Sequence, residues 1–67
     1  MENDTESIKA LRIYLQLKGV RFGAGTYQEY ERAKKLMDSW IFSCYVRGLE
    51  VPDQSHATHM VATWIGV

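Results

Sequence analysis

The sequence predicts an all-α fold, namely a small three-helix domain with a long central helix that we expect to form a homodimer. Apolar residues recur three and four positions apart along three segments, which is typical of amphipathic helices. Turns that contain glycine or proline separate these segments, and the middle segment is the longest. A chain of 67 residues has room for one domain, so we expect residues 1–67 to form a single helical unit.

The first helix is expected to run from about Glu6 to Lys18 and to end at Gly19. At 100° per residue its apolar arc consists of Ile8, Ala10, Leu11, Ile13, Tyr14, Leu15 and Leu17. Its exposed stripe consists of Lys9, Arg12 and Gln16. The residues that could cap its start are Asn3, Asp4 and Thr5.

The glycine-rich stretch GVRFGAGT follows this helix and raises the question of a phosphate-binding loop. A P-loop requires the pattern GxxxxGK[ST], and the stretch has neither that lysine nor that spacing. A dinucleotide-binding turn would follow a strand, whereas the preceding segment has helical periodicity. Thr26 and Glu29 instead match a capping box, which satisfies the first amides of a helix locally. We interpret the stretch as a turn that ends in a self-capped helix, with an anion site as the lesser alternative.

The second helix is predicted from about Tyr27 to Arg47, with Gly48 as its stop. Its apolar residues cover half of the helical circumference and are Tyr27, Tyr30, Ala33, Leu36, Met37, Trp40, Ile41, Cys44 and Tyr45.

Two apolar residues interrupt the opposite, polar half of the second helix. Glu31 can pair with Lys35 one turn later on that polar half. Phe42 and Val46 lie one turn apart on the same side, near the C-terminal end of the helix. Either a neighbouring helix covers these two side chains or they contact another molecule.

A third, short helix is predicted after a turn. Pro52 favours an extended conformation for Val51, and Asp53 or Ser55 can cap a following helix. In segment 56–67 the residues with helical spacing are Ala57, Met60, Val61, Trp64 and Ile65. The segment is also rich in β-branched and aromatic residues, so a short strand is the open alternative.

The helix lengths predict incomplete coverage of the central helix. About 21 residues give a length of roughly 31 Å, whereas the flanking helices reach about 18–20 Å. We expect the first helix to cover the N-terminal half of the second, and the third helix to cover its C-terminal half. This arrangement leaves apolar flanks uncovered at Tyr14, Leu17, Phe42 and Val46, and a twofold partner would cover them most simply.

No combination of residues predicts catalysis, a metal or a cofactor, so we expect a protein that is not an enzyme. His56 and His59 share a helix face, but a metal site needs at least a third ligand in fixed geometry. Cys44 lies among apolar residues, and we interpret it as a small core side chain rather than a nucleophile. Glu29 and Glu31 face in different directions on a helix, so they do not form an acid–base pair.

The charges give no overall support for nucleic-acid binding, because eight basic and eight acidic side chains cancel. A local basic patch nevertheless covers the first helix and the following turn, and its members are Lys9, Arg12, Lys18 and Arg21. Tyr14 or Phe22 beside this patch could stack on a base. A solvated helix face is the simpler interpretation of these cations, and nucleic-acid contact is the alternative.

We expect the protein to be cytoplasmic and without a membrane segment. Its single cysteine, Cys44, cannot form an internal disulfide, and the N-terminal residues do not resemble a secretion signal. The longest apolar run, from Trp40 to Val46, is broken by Ser43 and is far shorter than the roughly 18–20 residues that a membrane span needs.

These observations favour a small non-catalytic protein-interaction module, which we expect to regulate or inhibit a larger protein or complex by occluding it. Its size resembles that of regulators that mobile elements or phages encode, which is an argument by analogy. The residues expected to bind the partner are Tyr14, Phe22, Phe42 and Val46. The alternative is a small nucleic-acid-binding regulator that uses the basic patch.

Overall fold

Three α-helices form the fold over residues 6–67, the part of the chain that the computed structural model describes. They are α1 (Glu6–Leu17), α2 (Tyr27–Val46) and α3 (Gln54–Ile65). The predicted all-α class and the long central helix are confirmed. Residues 6–67 contain no strand, so the strand alternative for segment 56–67 is wrong. The predicted caps of the first helix, Asn3, Asp4 and Thr5, lie outside the described residues.

The first two helices end in the same way, at a glycine with a left-handed backbone conformation. The φ angle is 86° at Gly19 and 75° at Gly48, a region that glycine adopts without strain. The N–H groups of each glycine and of the next residue donate to the last helical turn, in the pairs Gly19–Gln16, Val20–Leu15, Gly48–Tyr45 and Leu49–Cys44. These bonds form a Schellman motif at each end. Both helices end one residue earlier than predicted, because the residue before each glycine already belongs to the turn.

The observed cap of α3 agrees fully with the prediction, whereas the predicted capping box of α2 is formed only in part. The Asp53 carboxylate accepts a hydrogen bond from the His56 N–H at 2.9 Å, so Asp53 rather than Ser55 caps α3. The Thr26 hydroxyl accepts from the Glu29 N–H at 3.2 Å and caps α2 as predicted. The Glu29 carboxylate, however, accepts from a more distant backbone group instead of completing a capping box.

The hydrophobic core draws on all three helices and on the loop after α1. Its buried members are Ile8, Leu11, Leu15, Val20, Ala33, Met37, Ala57, Val61 and Ile65. Cys44 is buried as well, which confirms its interpretation as a small packed side chain. The central helix α2 contributes few buried residues for its length, and Tyr27 and Tyr45 of its predicted apolar half are exposed.

The positions of α1 and α3 along α2 differ from the prediction. The C-terminal end of α1 lies beside Arg32, whose guanidinium donates to the Lys18 carbonyl. One turn earlier in α1, the Tyr14 ring lies 6.2 Å from the ring of Trp40. The helix α1 therefore packs along the middle and C-terminal part of α2. The expectation that it covers the N-terminal half is wrong, because the loop between the two helices carries the chain past the first turn of α2.

The third helix begins beside the N-terminal half of α2 rather than its C-terminal half. Gln54 and Thr58 share a surface depression with Lys34 of α2. The last residues of α3 reach the glycine-rich loop, where the Trp64 carbonyl accepts a hydrogen bond from the Gly23 N–H at 2.8 Å. The chain thus returns along α2 before α3 starts, and the expected coverage of the C-terminal half by α3 is wrong.

None of the helices within residues 6–67 combines the length and the apolar composition that a membrane crossing requires.

Candidate interaction surfaces

The glycine-rich loop caps the C-terminal end of α3. The Gly23 and Gly25 N–H groups donate to the Trp64 and Ile65 carbonyls, each at 2.8 Å. These carbonyls belong to the last turn of a helix, where intrahelical donors are missing. Amides that already donate to helix carbonyls cannot also bind a phosphate, so the geometry favours the predicted turn over the anion site.

Two charged side chains fix the loop onto the start of α2. The Arg32 guanidinium donates to the carbonyls of Lys18 and Gly19 at 2.9 and 3.1 Å, and lies 3.0 Å from the Glu29 carboxylate. The same carboxylate accepts from the Arg21 N–H at 2.8 Å. We call this group of contacts the clamp. It places a cation at the negative end of α1 and an anion at the positive end of α2.

The clamp also lowers the pKa of the Glu29 carboxyl group. The main cause is the hydrogen bond from the Arg21 backbone N–H, and the nearby Arg32 guanidinium acts in the same direction. These effects outweigh partial burial, so the pKa lies below its ordinary value near 4.5. Glu29 is therefore ionised at neutral pH, as the clamp requires.

Four apolar side chains are exposed around the C-terminal end of α2, and we call this surface the apolar end. The exposed fractions are 68% for Phe42, 74% for Tyr45, 64% for Val46 and 53% for Leu49. Val46 lies nine positions after the buried Met37, which puts it about 180° away around the helix. Val46 therefore points away from the side of α2 on which the core forms, whereas Leu49, beyond the end of the helix, lies beside the buried Cys44.

The four predicted partner-binding residues do not form one surface. Phe42 and Val46 belong to the apolar end. Tyr14 packs against Trp40 at the seam of α1 and α2, and Phe22 packs against Trp64 of α3 with ring centroids 5.6 Å apart. Both Tyr14 and Phe22 are partly buried against the core, since each has an aromatic neighbour on another helix. Leu17, which was expected to be bare, is 81% exposed on α1.

Sequence reasoning missed two members of the apolar end, Tyr45 and Leu49. Tyr45 was assigned to the apolar half of α2 that faces the core, and Leu49 to a turn. Tyr45 lies three positions after Phe42, and this helical spacing could have grouped it with Phe42 and Val46. Leu49 follows the glycine that ends α2, so helical spacing carries no signal for it.

An apolar notch adjoins the apolar end. It has a volume of about 300 Å³, and its apolar lining comes from Ala10, Trp40, Cys44 and Leu49. Leu49 thus borders both the notch and the exposed surface, so the apolar character continues from α2 toward the first turns of α1.

All four cations of the basic patch are exposed, and two of them lie over aromatic rings of the protein itself. The Arg12 guanidinium carbon lies 5.1 Å from the centroid of Phe22 and 5.4 Å from that of Trp64. We call these three side chains the aromatic platform. Lys18 lies over Tyr14 at 5.6 Å. Lys9 lies on the same side of α1 as Arg12, one turn earlier.

The candidate catalytic groups are dispersed within residues 6–67. No cluster of three or more histidine, cysteine or acidic side chains forms there that could hold a metal ion. The His56 N–H takes part in the cap of α3, and Cys44 is buried. The Tyr27 hydroxyl donates to Glu31, and this hydrogen bond raises the pKa of Tyr27.

The chain matches no protein-family model, and no curated protein or solved structure is significantly similar to it. We therefore argue its function from the geometry of its own residues.

Proposed function

We propose that the protein is a non-catalytic protein-binding module, that a second copy covers its apolar end, and that the resulting homodimer regulates or inhibits a larger protein by occluding it. The exposure of Phe42, Tyr45, Val46 and Leu49 around the C-terminal end of α2 carries the proposal. Exposed apolar clusters of this kind mark contact sites in proteins.

The size of the apolar end supports a dimer contact. With about 200 Å² available per aromatic side chain, the exposed fractions leave roughly 280 Å² on Phe42 and Tyr45. Val46 and Leu49 raise the apolar area to about 400 Å² per copy. Two copies would bury roughly 800 Å² of apolar surface, and with the usual polar rim the contact totals about 1,200 Å². This total reaches the lower limit for a specific protein interface.

A second copy is the occupant that also compensates for the small core. A domain of this length buries only about 60% of the surface that its unfolded chain exposes. Domains of this size often gain stability from a partner subunit, and twofold dimers are the commonest form. In such a dimer the same residues face each other, so one apolar surface serves both copies.

The regulatory part of the proposal rests on size and on the dispersed chemistry, by analogy with small occluding inhibitors such as those of mobile elements. The face that binds the larger protein would then lie outside the dimer contact. Candidates for it are the exposed Ile13 and Leu17 on α1, which are 56% and 81% exposed.

The test is the mass of the protein in solution, measured by light scattering coupled to size exclusion over a concentration series. We expect a dimer for the natural sequence and a monomer for Phe42→Glu, because a charge would be buried without a partner at the contact. Leu17→Glu is the matched control, since it adds the same charge at a more exposed apolar position, and it should remain dimeric.

Two outcomes would contradict the proposed dimer. A monomer at every concentration would show that no second copy covers the apolar end. A dimer that persists in Phe42→Glu but is lost in Leu17→Glu would move the contact to the outer face of α1.

A further inference from the structure

The aromatic platform is a second surface with its own chemistry. Phe22 is held beside Trp64 by backbone contacts, because the neighbouring Gly23 N–H donates to the Trp64 carbonyl at 2.8 Å. The two rings are 5.6 Å apart and inclined by 35°. Arg12 lies over both rings while remaining exposed to solvent. The platform is thus assembled from three parts of the chain before any ligand arrives.

Cations predominate around the platform, and the nearest carboxylate on α1 is Glu6, one turn before Lys9. Residues 7–28 contain four cations and no carboxylate, and α3 (Gln54–Ile65) contains no acidic residue. The Glu29 carboxylate approaches this region and pairs with Arg32 in the clamp, where it also lies close to Arg21. Lys9 and Arg12 are exposed and outside the clamp, so they can meet an external anion, and Lys18 is exposed over the Tyr14 ring. The zero net charge of the whole chain conceals this local excess.

We propose that the aromatic platform binds single-stranded nucleic acid, with a base stacked on the Arg12 guanidinium that lies over the two rings, and with Lys9 next to a phosphate of the same strand. Exposed arginine and aromatic faces stack on bases of any sequence, and nearby cations hold the backbone. The proposal goes beyond the dimer function and uses a different surface, formed by α1, the glycine loop and α3. The apolar end of α2 takes no part in it.

Charge complementarity selects an anionic ligand, and the aromatic rings select among anions. An acidic peptide would satisfy Lys9 and Arg12 but would leave the stacking face of the platform unused. A double helix would present its phosphates while its bases stay stacked on each other. A single strand offers both a phosphate and an unstacked base, so it matches both features of the surface.

The test uses fluorescence anisotropy of a short labelled oligothymidylate, titrated with the full chain over a range of salt concentrations. We expect binding whose logarithm falls with the logarithm of salt with a slope of about −0.7, because Lys9 is the cation that lies next to a phosphate. An abasic oligonucleotide of equal length should bind about tenfold more weakly, because it keeps the phosphates and lacks the bases.

Variants assign the binding to this surface. Arg12→Gln should weaken binding about tenfold, and Lys9→Gln should reduce the salt slope by about 0.7 with little loss of stacking. Arg47→Gln is the matched control, because Arg47 is an exposed cation at the opposite end of α2 and should have no effect. Circular dichroism of each variant would establish that the helices are retained.

Three outcomes would overturn the proposal. The first is no binding at the lowest salt. The second is equal binding of the abasic and thymidine strands, which would reduce the surface to a general anion contact. The third is equal competition by polyglutamate, which would favour an acidic protein ligand. Repeating the titration with Phe42→Glu separates the two proposals, since a monomer should still bind the strand if the surfaces are independent.

Discussion

Each end of α2 lies beside a Schellman motif, which ends α1 at one side and α2 itself at the other, but the two ends differ in how they are covered. The loop end consists of the glycine loop, the first turns of α2 and the last turn of α3. There Val20, the residue after the glycine that ends α1, is buried with 7% of its surface exposed. Leu49 occupies the equivalent position after α2 and is 53% exposed. The helix-ending motif is the same, and only the neighbours differ.

This comparison shows that a helix-ending motif does not specify what packs over it. The bonds of a Schellman motif lie within one turn of the chain, so the local sequence determines them. Whether the apolar residue after the motif is buried depends on a segment that is distant in the sequence. At the loop end α2 and α3 cover this residue through the clamp and the bonds to Trp64 and Ile65. At the apolar end the start of α1 covers Leu49 only in part, and Leu49 remains 53% exposed.

The largest expected difference comes from truncating one apolar residue at each end. Ile65→Ala should lower the free energy of unfolding by about 2–5 kcal/mol, because the side chain is fully buried at the loop end. Leu49→Ala should cost below about 1 kcal/mol in the dissociated protein. Urea denaturation at low protein concentration measures both. Equal losses would mean that the two ends are covered equally in solution.

A smaller effect is expected from the clamp. Arg32→Met keeps the aliphatic stem but removes the bonds to the Lys18 and Gly19 carbonyls, and should cost about 1–2 kcal/mol. Lys35→Met is the matched control, since it removes an exposed cation one turn away on the same helix. Thermal unfolding of both variants gives the comparison. If Arg32→Met is no more harmful than Lys35→Met, the clamp does not stabilise the loop end.

The smallest expected effect is a dependence of the clamp on pH. The pKa of Glu29 is lower in the folded protein than in the unfolded chain, so its ionised form stabilises the fold above the ordinary value near 4.5. This contribution is lost as the pH falls from there through the folded pKa. The melting temperature of Glu29→Gln should therefore lie below that of the natural sequence at pH near neutral, and the difference should vanish in acid.

The control for this titration is Asp38→Asn, which neutralises an exposed carboxylate on α2 outside the clamp. Its melting temperature should follow that of the natural sequence through the acid range. A Glu29→Gln difference that stays constant with pH would show that the carboxylate acts by shape rather than by charge.

Local structure was predictable where the responsible residues are neighbours in the sequence. Thr26 caps α2 and Asp53 caps α3 because each reaches an amide three positions away. Gly19 and Gly48 end their helices for the same reason. The inner face of α1, with Ile8, Leu11 and Leu15, also followed from periodicity alone.

The failures concern contacts between distant residues. A helical wheel assigns a side to Tyr14 or to Tyr45 but does not say whether another helix lies there. Tyr14 has Trp40 as a neighbour, whereas Tyr45 remains exposed. The hydrogen bond from the Arg21 N–H to the Glu29 carboxylate could not be predicted either, because eight positions separate the two residues. The path of the two connections decided these contacts, and periodicity carries no information about that path.

The bonds from the glycine loop to α3 tie the middle of the chain to its last helix. In a glycine-rich loop, backbone amide hydrogens ordinarily exchange rapidly with solvent. The Gly23 and Gly25 amides are held by the Trp64 and Ile65 carbonyls, so they can exchange only when α3 leaves the loop. Two glycine signals therefore report on the undocking of a whole helix, and their protection measures how far the domain opens as one cooperative unit.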